Sequence, residues 1–281
     1  MGETVFLDGK FVPYNQAVIH VEDRGNVFAD GVYEVIRYYG GRPFEMGEHL
    51  NRLERSTSAI RLPIPYEREQ IVAWADELVA RNSLEDAVIY LQLTRGHAPR
   101  FHPFPPEPTP TLFMTARPAV RQPAESYEKG VGCVTVEDKR WKMCNVKAIG
   151  LLPNVLARQT AREAGALEAL FVRDGIVTEG SSSNFFVVVN NKLRTHPEGP
   201  YILSGISRHV VLELAERLRI EVEEVPFTLT ELRQADEAFL TSTTLEVMPV
   251  VTVDGRTIGA GVPGPITSDI AEAFTARVQR K

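Results

Sequence analysis

The residue with the clearest chemical potential in this chain is a lysine. Of 31 basic residues only seven are lysines, at positions 10, 129, 139, 142, 147, 192 and 281. Six of these sit beside turns, other charges or the terminus. Lys147 is instead the sole charge between Lys142 and Arg158, inside the apolar run Met143–Leu152. An ammonium in such surroundings loses hydration, which lowers its pKa and frees the amine as a nucleophile for carbonyl carbons. The plain alternative is a strand lysine reaching out to solvent.

Three further segments supply groups that would complement a reactive amine. Val177-Thr-Glu-Gly-Ser-Ser-Ser-Asn184 places one carboxylate, Glu179, at a strand end before a Gly/Ser-rich turn that carries Ser182 and Ser183. Ser204-Gly-Ile-Ser207 opens a helix, so the backbone N–H groups of Ile206 and Ser207 form a potential phosphate cup. Leu240-Thr-Ser-Thr-Thr244 adds the hydroxyls of Thr243 and Thr244 after another strand. Each turn taken alone reads equally well as a helix cap or a Ser/Thr turn. Together they match what pyridoxal phosphate needs: a lysine for its aldehyde, an acid for its ring nitrogen and donors for its phosphate.

A second constellation lies in Arg95–Pro110, a connection of 16 residues with six prolines. Loops of this length without structure of their own are usually functional or disordered. Arg100 and His102 are two apart, and Pro103 biases His102 toward an extended backbone, which predicts both side chains on one side. Arg grips a carboxylate with two parallel hydrogen bonds, His adds a third, and Tyr33 can add a hydroxyl. Metal binding by His97 and His102 is the rival reading, but no CxxC, HxxxH or nearby acidic ligand supports it. A surface loop with incidental Arg and His is the bland one.

The elements that must position these groups follow from periodicity. Thr4–Leu7 and Phe11–Pro13 flank Asp8-Gly9, a hairpin signature. Val32–Tyr39, Ala87–Thr94 and Thr111–Ala116 read as strands, and Glu48–Ile60 and Glu67–Arg81 as helices. Arg52 lies off the Leu50–Leu53–Ile60 stripe, which by itself predicts a solvated arginine. Prolines bracket Arg117–Ala124, the linker candidate. Beyond it strands dominate: 169–172, 176–178 and 185–189, with helices over 207–218 and 266–278. The expectation is an α/β (α+β) chain in two domains. The smaller N-terminal α/β domain spans 1–118, and the larger, mostly-β cofactor-binding domain with helices spans 119–281, the linker lying near 117–124.

Composition bounds the class. With 281 residues, 43% hydrophobic and 24% charged, the chain is neither disordered nor fibrous. Its net charge of −6 argues against nucleic acid as the partner. Two cysteines, Cys133 and Cys144, suit a reducing compartment. No signal-peptide pattern opens the chain, the longest apolar run (Phe185–Val189) cannot span a bilayer, and Met1-Gly2 is followed by Phe6 where N-myristoylation wants Ser or Thr. A cytoplasmic protein without membrane attachment is expected.

Glu22-Asp-Arg-Gly25, Asp30-Gly-Val-Tyr-Glu-Val35, Glu179-Gly-Ser-Ser-Ser-Asn184, Gly205-Ile-Ser-Arg208 and Thr241-Ser-Thr-Thr244 occur in this order over nearly the whole chain. In these the chain resembles the class IV aminotransferases, pyridoxal phosphate enzymes of fold type IV. Arg100-Phe-His102 resembles the members that act on D-amino acids. The resemblance implies that Lys147 bonds the cofactor and then shuttles the substrate α-proton. It implies that Glu179 pairs with the ring nitrogen, that Arg52, Ile206, Ser207 and Thr243 hold the phosphate, and that Ser182 and Ser183 also belong to the cofactor-binding set. Tyr33, Arg100 and His102 would hold the substrate carboxylate, with Thr244 at the substrate pocket. Arg100 and His102 would reach in from the partner of a homodimer. The implied reaction is ping-pong transfer of an amino group between D-amino acids (D-alanine, D-glutamate) and 2-oxo acids (2-oxoglutarate, pyruvate). Branched-chain L-aminotransferases share the fold but usually carry a tyrosine where Leu152 stands, and lack the Arg-x-His loop. Aminodeoxychorismate lyases, (R)-amine transaminases and a non-catalytic cofactor-binding protein are the other readings. Ser204 and Ser207 depart from the Lys and Thr expected in close relatives; Ser207 would act through its backbone N–H, so only Ser204 changes the edge of the pocket.

Overall fold

The computed structural model describes Glu3–Gln279; Met1-Gly2, the acylation motif weighed above, and Arg280-Lys281 lie outside the described residues. The chain divides into two compact units. The first is Met1–Ala119 together with Val146–Gly150, and the second is Val120–Asn145 together with Leu151–Lys281.

In the first unit, strands β1 (Thr4–Leu7), β2 (Lys10–Pro13), β3 (Gly31–Tyr39), β4 (Arg42–Pro43), β5 (Ala87–Thr94) and β6 (Thr111–Pro118) form one sheet. Its order is β2-β1-β6-β5-β3-β4, antiparallel throughout. Asp8 and Gly9 turn the β1–β2 hairpin with φ of 45° and 82°, the left-handed pair that a two-residue hairpin turn requires. Helices α1 (Arg24–Phe28), α2 (Met46–Ala59) and α3 (Arg68–Arg81) complete the unit. Alternation in β3 and β5 sends Val32, Ile36, Ile89, Leu91 and Leu93 to one face, where they pack with Leu50 and Leu53 of α2 and Ile71, Ala75 and Leu78 of α3. Tyr33, Tyr90 and Phe113 take the opposite face as a run of ring contacts.

Val146–Gly150 clusters with this unit because its backbone is bonded there. The Tyr33 N–H donates to the Lys147 carbonyl at 3.0 Å, the Ile149 N–H donates to the Gly31 carbonyl at 3.2 Å, and the Val146 side chain enters the α2–α3 core. A contiguous reading of the chain from residue 119 onward does not anticipate this excursion.

The second unit is built on a ten-stranded mixed sheet. Its strands are β7 (Val131–Glu137), β8 (Glu168–Arg173), β9 (Ile176–Gly180), β10 (Asn184–Val189), β11 (Lys192–Thr195), β12 (Val222–Glu224), β13 (Phe227–Thr228), β14 (Glu237–Ser242), β15 (Glu246–Val253) and β16 (Arg256–Thr257). The order is β12-β11-β10-β14-β15-β7-β8-β9-β13, with β16 beside β15. Helices α4 (Ala124–Lys129), α5 (Leu152–Glu163), α6 (Ile206–Arg217), α7 (Leu229–Leu232) and α8 (Pro265–Gln279) flank it. The continuous apolar run of β10 is buried, as a central strand covered on both faces demands.

Candidate active site

In the first unit the site residues lie along β3. Glu34 is in phase with Val32 and Ile36, so alternation drives its carboxylate into the core, where it is 0% exposed. There α2 presents Arg52 and His49 on the same face. Arg52 Nε and Nη2 fork onto Glu34 at 2.8 and 2.7 Å, and His49 Nδ1 lies 2.8 Å from Glu34 Oε2. Burial opposes ionisation of Glu34, but the Arg52 guanidinium and the hydrogen bonds from Arg52 and His49 hold its pKa well below the usual carboxylate range. Burial pushes His49 below its ordinary value; Glu34 opposes this, while Arg52 and Lys147 add to it. Arg52 is only 4% exposed, so the solvated arginine expected from the apolar stripe is corrected. A carboxylate across the α2–β3 contact outweighs the helical pattern.

Lys147 sits on an irregular segment bridged to β3 through Val32 and Ala148, rather than in a regular strand. Its own N–H donates to Ser56 Oγ at 3.1 Å. The half-buried side chain carries Nζ to 4.2 Å from the centre of the Tyr33 ring, which stacks in turn on Tyr90 at 5.6 Å. Thus Lys147 and Tyr33 are direct neighbours. Arg100 and His102 are both exposed on the long loop and both approach Phe28, each at 5.2 Å from its ring. His97 pairs instead with the His20 ring at 4.9 Å, and among the described residues no group of three or more His, Cys, Asp or Glu is arranged to hold a metal ion.

In the second unit Glu179 is buried at the end of β9. Oε1 accepts from Arg140 Nη1 at 2.5 Å; Oε2 accepts from the Leu203 N–H and from Asn184 Nδ2, each at 3.0 Å. Burial pushes the Glu179 pKa up to about 7, against the lowering pull of Arg140 and the Leu203 N–H. Arg140 is itself anchored on Asp138, and that partner with Glu179 holds its own pKa above the ordinary arginine value, although burial opposes this. A carboxylate offers about four acceptor positions, so these three donors leave room on Oε1 for one more.

The hydroxyls of Ser181, Ser182 and Ser183 all donate to one carboxylate, Glu168, which is fully buried on β8. Ser182 and Ser183 are thereby placed on an internal acid that fixes the turn after Glu179. Helix α6 has Gly205 at its N-cap, with no side-chain cap and no acidic residue in its first turn, and Ile206 and Ser207 are buried. A Cβ at Gly205 would collide with Asn184 Oδ1, so this close approach requires glycine. The Ser204 hydroxyl bonds Glu198. Beyond β14, Thr243 is half-buried and Thr244 exposed, while the buried Thr241 Oγ1 has no partner.

A buried acid with an unused acceptor position, an uncapped buried helix start and an orphaned threonine hydroxyl suit a phosphorylated ring carrying a protonatable nitrogen. The residues present fit pyridoxal phosphate. Sequence reading missed Glu34, His49, Arg140 and Glu168. The phase of Glu34 with Val32 and Ile36 was a usable signal for the first. Nothing local ties Arg140 or Glu168 to the site: Arg140 has Asp138 beside it in the chain, but Glu179 lies 39 residues on, and the serines lie 13 to 15 residues after Glu168.

The model of the family described as Amino-transferase class IV matches residues 31–253. The chain is 42% identical to a D-alanine aminotransferase of Bacillus licheniformis, over 96% of its own length and 95% of the relative's. Among solved structures it is similar to the branched-chain amino acid aminotransferase of Escherichia coli, at a TM-score of 0.92 and 28% identity, over 98% of this chain and 94% of the other. The PLP-form of the branched-chain enzyme from Thermobaculum terrenum superposes with a TM-score of 0.87 at 28% identity, over 99% and 94% of the two chains. The chain belongs to the class IV aminotransferases, and its fold is the fold type IV α+β architecture.

Proposed function

We propose that the protein transfers amino groups between D-amino acids and 2-oxo acids, D-alanine with 2-oxoglutarate giving pyruvate and D-glutamate, with pyridoxal phosphate as cofactor. The observation that carries this reading is the paired display of Arg100 and His102 around Phe28, a ready grip for an α-carboxylate. The identity to D-alanine aminotransferases supports it over the branched-chain reading, whose representatives match the fold at lower identity.

When bound, pyridoxal phosphate supplies an aldehyde that takes up the amino group and a protonated ring that accepts the electrons of the breaking Cα–H bond. Lys147 would hold that aldehyde carbon through Nζ. As a free amine, Nζ would be the base that takes up and returns the substrate α-proton. Glu179 would hold the ring nitrogen, with Arg140 opposing the rise that burial imposes on its pKa. Arg52, the Ile206 and Ser207 N–H groups and Thr243 would hold the phosphate, while Ser182 and Ser183 shape the turn beside Glu179. Tyr33, Arg100 and His102 would orient the carboxylate, and Thr244 would edge the substrate pocket.

Arg100 and His102 are exposed in a single chain, where water weakens a carboxylate grip, and a second copy would exclude it. Helix α5 also displays Leu152, Val155 and Leu156 at 69%, 60% and 61% exposure, an apolar stripe at helical spacing. We therefore propose a homodimer in which the loop serves the partner's site. Sedimentation of Leu156→Glu should give monomers with little activity; a fully active dimer would refute this assignment of the stripe. The division at 118/119 is proposed as the domain boundary. Among the described residues no helix is long and apolar enough to cross a membrane. Two buried free thiols, Cys133 and Cys144, support a cytoplasmic setting.

The deciding experiment is an absorption spectrum of the purified protein before and after D-alanine, then separately after L-leucine. Bleaching of the lysine-bound cofactor band by D-alanine alone is expected. Conversion by L-leucine alone would move the protein to the branched-chain group and overturn the role given to Arg100 and His102.

A further inference from the structure

We propose that Arg24 is a positioning residue for substrate selection: with Phe28, it fixes the loop that presents Arg100 and His102. The inference rests on the reading of those two residues as the carboxylate grip.

The loop cannot hold its own shape. Six of the 16 residues from Arg95 to Pro110 are prolines without an N–H. Among the described residues, no backbone N–H between residues 99 and 110 donates to a backbone carbonyl. Its base is pinched at Gly96, with φ of 82°, where a Cβ would strike the Thr109 carbonyl. Between that base and the tip, one guanidinium takes over the missing ladder. Arg24 Nη1 donates to the Phe101 carbonyl at 2.7 Å and to the Pro103 carbonyl at 3.4 Å, and Nη2 donates to the His102 carbonyl at 3.2 Å. Three consecutive peptide groups, spanning His102 and directly following Arg100, are held by one side chain.

Arg24 is itself fixed. It is 4% exposed, and its Nε donates to Asp30 at 2.8 Å. Asp30 is held as well by Arg95, whose Nε shares Oδ2 with Arg24 and whose Nη2 takes Oδ1; Arg95 also bonds the Ile60 and Arg61 carbonyls and lies 3.7 Å from the centre of the Phe104 ring. The side chains of the grip meet a second common support. Phe28 has Arg24 at 4.8 Å and Arg100 and His102 each at 5.2 Å from its ring centre. A guanidinium over a ring face is attracted by the quadrupole, so Phe28 restricts a long exposed arginine that would otherwise sample many rotamers. A lysine at 24 would keep the charge beside Asp30, but one ammonium on a flexible stem lacks the planar fork that spans these carbonyls.

The test compares KM and kcat of Arg24→Gln, Arg24→Lys, Phe28→Leu and Arg100→Ala for D-alanine, and their rates with (R)-1-phenylethylamine, which has no carboxylate. Freeing the loop should raise KM for D-alanine about tenfold or more in Arg24→Gln and Phe28→Leu, with kcat and the amine rate within about threefold of the parent. Arg24→Lys should recover only part of the loss. If Arg100→Ala raises KM and neither Arg24→Gln nor Phe28→Leu does, the positioning role is wrong while the grip stands. If Arg100→Ala leaves KM unchanged, the grip itself fails and the inference falls with it. Equal losses on both donors would mean a general structural role and overturn it. Phe28→Leu keeps the Arg24–Asp30 pair, and so decides the matter if Arg24 variants do not fold.

Discussion

Lys147→Arg is expected to lose D-alanine turnover by about 10⁴-fold or more, with Tm close to that of the parent. Arginine keeps the positive charge and the contact with the Tyr33 ring, where Lys147 Nζ stands 4.2 Å from the centre. It cannot give up a proton near neutral pH, so it can neither bond the cofactor carbon nor carry the α-proton. At this half-buried site the ring contact contributes about 0.5–2 kcal/mol, too little for its rearrangement to unfold the unit. The Lys147 backbone is held by Ser56 Oγ and the Tyr33 N–H, neither of which the substitution touches. Steady-state turnover with a parallel thermal melt measures both. Turnover within tenfold of the parent at full stability would remove Lys147 from the proposed mechanism.

Glu34→Gln is expected to destabilise the protein by about 3–5 kcal/mol, because it removes the carboxylate charge onto which the buried Arg52 guanidinium is forked. The Glu34 and Arg52 side chains are 0% and 4% exposed, so water cannot make up for the lost charge. Replacing the pair together, as Glu34→Leu with Arg52→Met, should recover much of that stability, since apolar residues of similar volume avoid the desolvation cost. The double variant would still lack a proposed phosphate ligand, so restored stability should come with weakened cofactor retention. Chemical denaturation and cofactor release on dialysis separate the two effects.

The same cluster sets a pH dependence. The folded pKa of Glu34 lies below its ordinary 4.5, so its stabilisation is complete above about pH 4.5 and is lost as pH falls below that. His49 lies below its ordinary 6.5, so the unfolded chain takes up the proton first and stability also declines on acidification from about pH 6.5. Glu34→Gln should flatten the lower limb of the stability–pH profile. A wild-type profile that does not fall between pH 6.5 and 4 would contradict this account of the buried charges.

Much of this could be read from the residues in order. Richness in β-branched and aromatic residues marked β3, the helical stripe marked α2, and Asp8-Gly9 marked the first hairpin. These are local signals, because strand preference, a helical period of 3.6 and a tight turn are each set by the segment itself. Lys147 was legible as a lone charge in an apolar run and Glu179 as a lone carboxylate before a Ser-rich turn, since both are visible as departures from their neighbours.

Tertiary structure decided the rest. It took Val146–Gly150 out of the second unit's run of sequence and bonded it along β3, setting Lys147 over Tyr33. It turned Arg52, by pattern a surface residue, onto Glu34. It gave three serine hydroxyls to Glu168 and three loop carbonyls to Arg24. In each case a buried polar group needed a partner, and the partner was supplied by an element many residues away. Burial creates that demand only once the chain has packed, so composition and spacing determine which groups exist, and the packed fold determines which of them must meet.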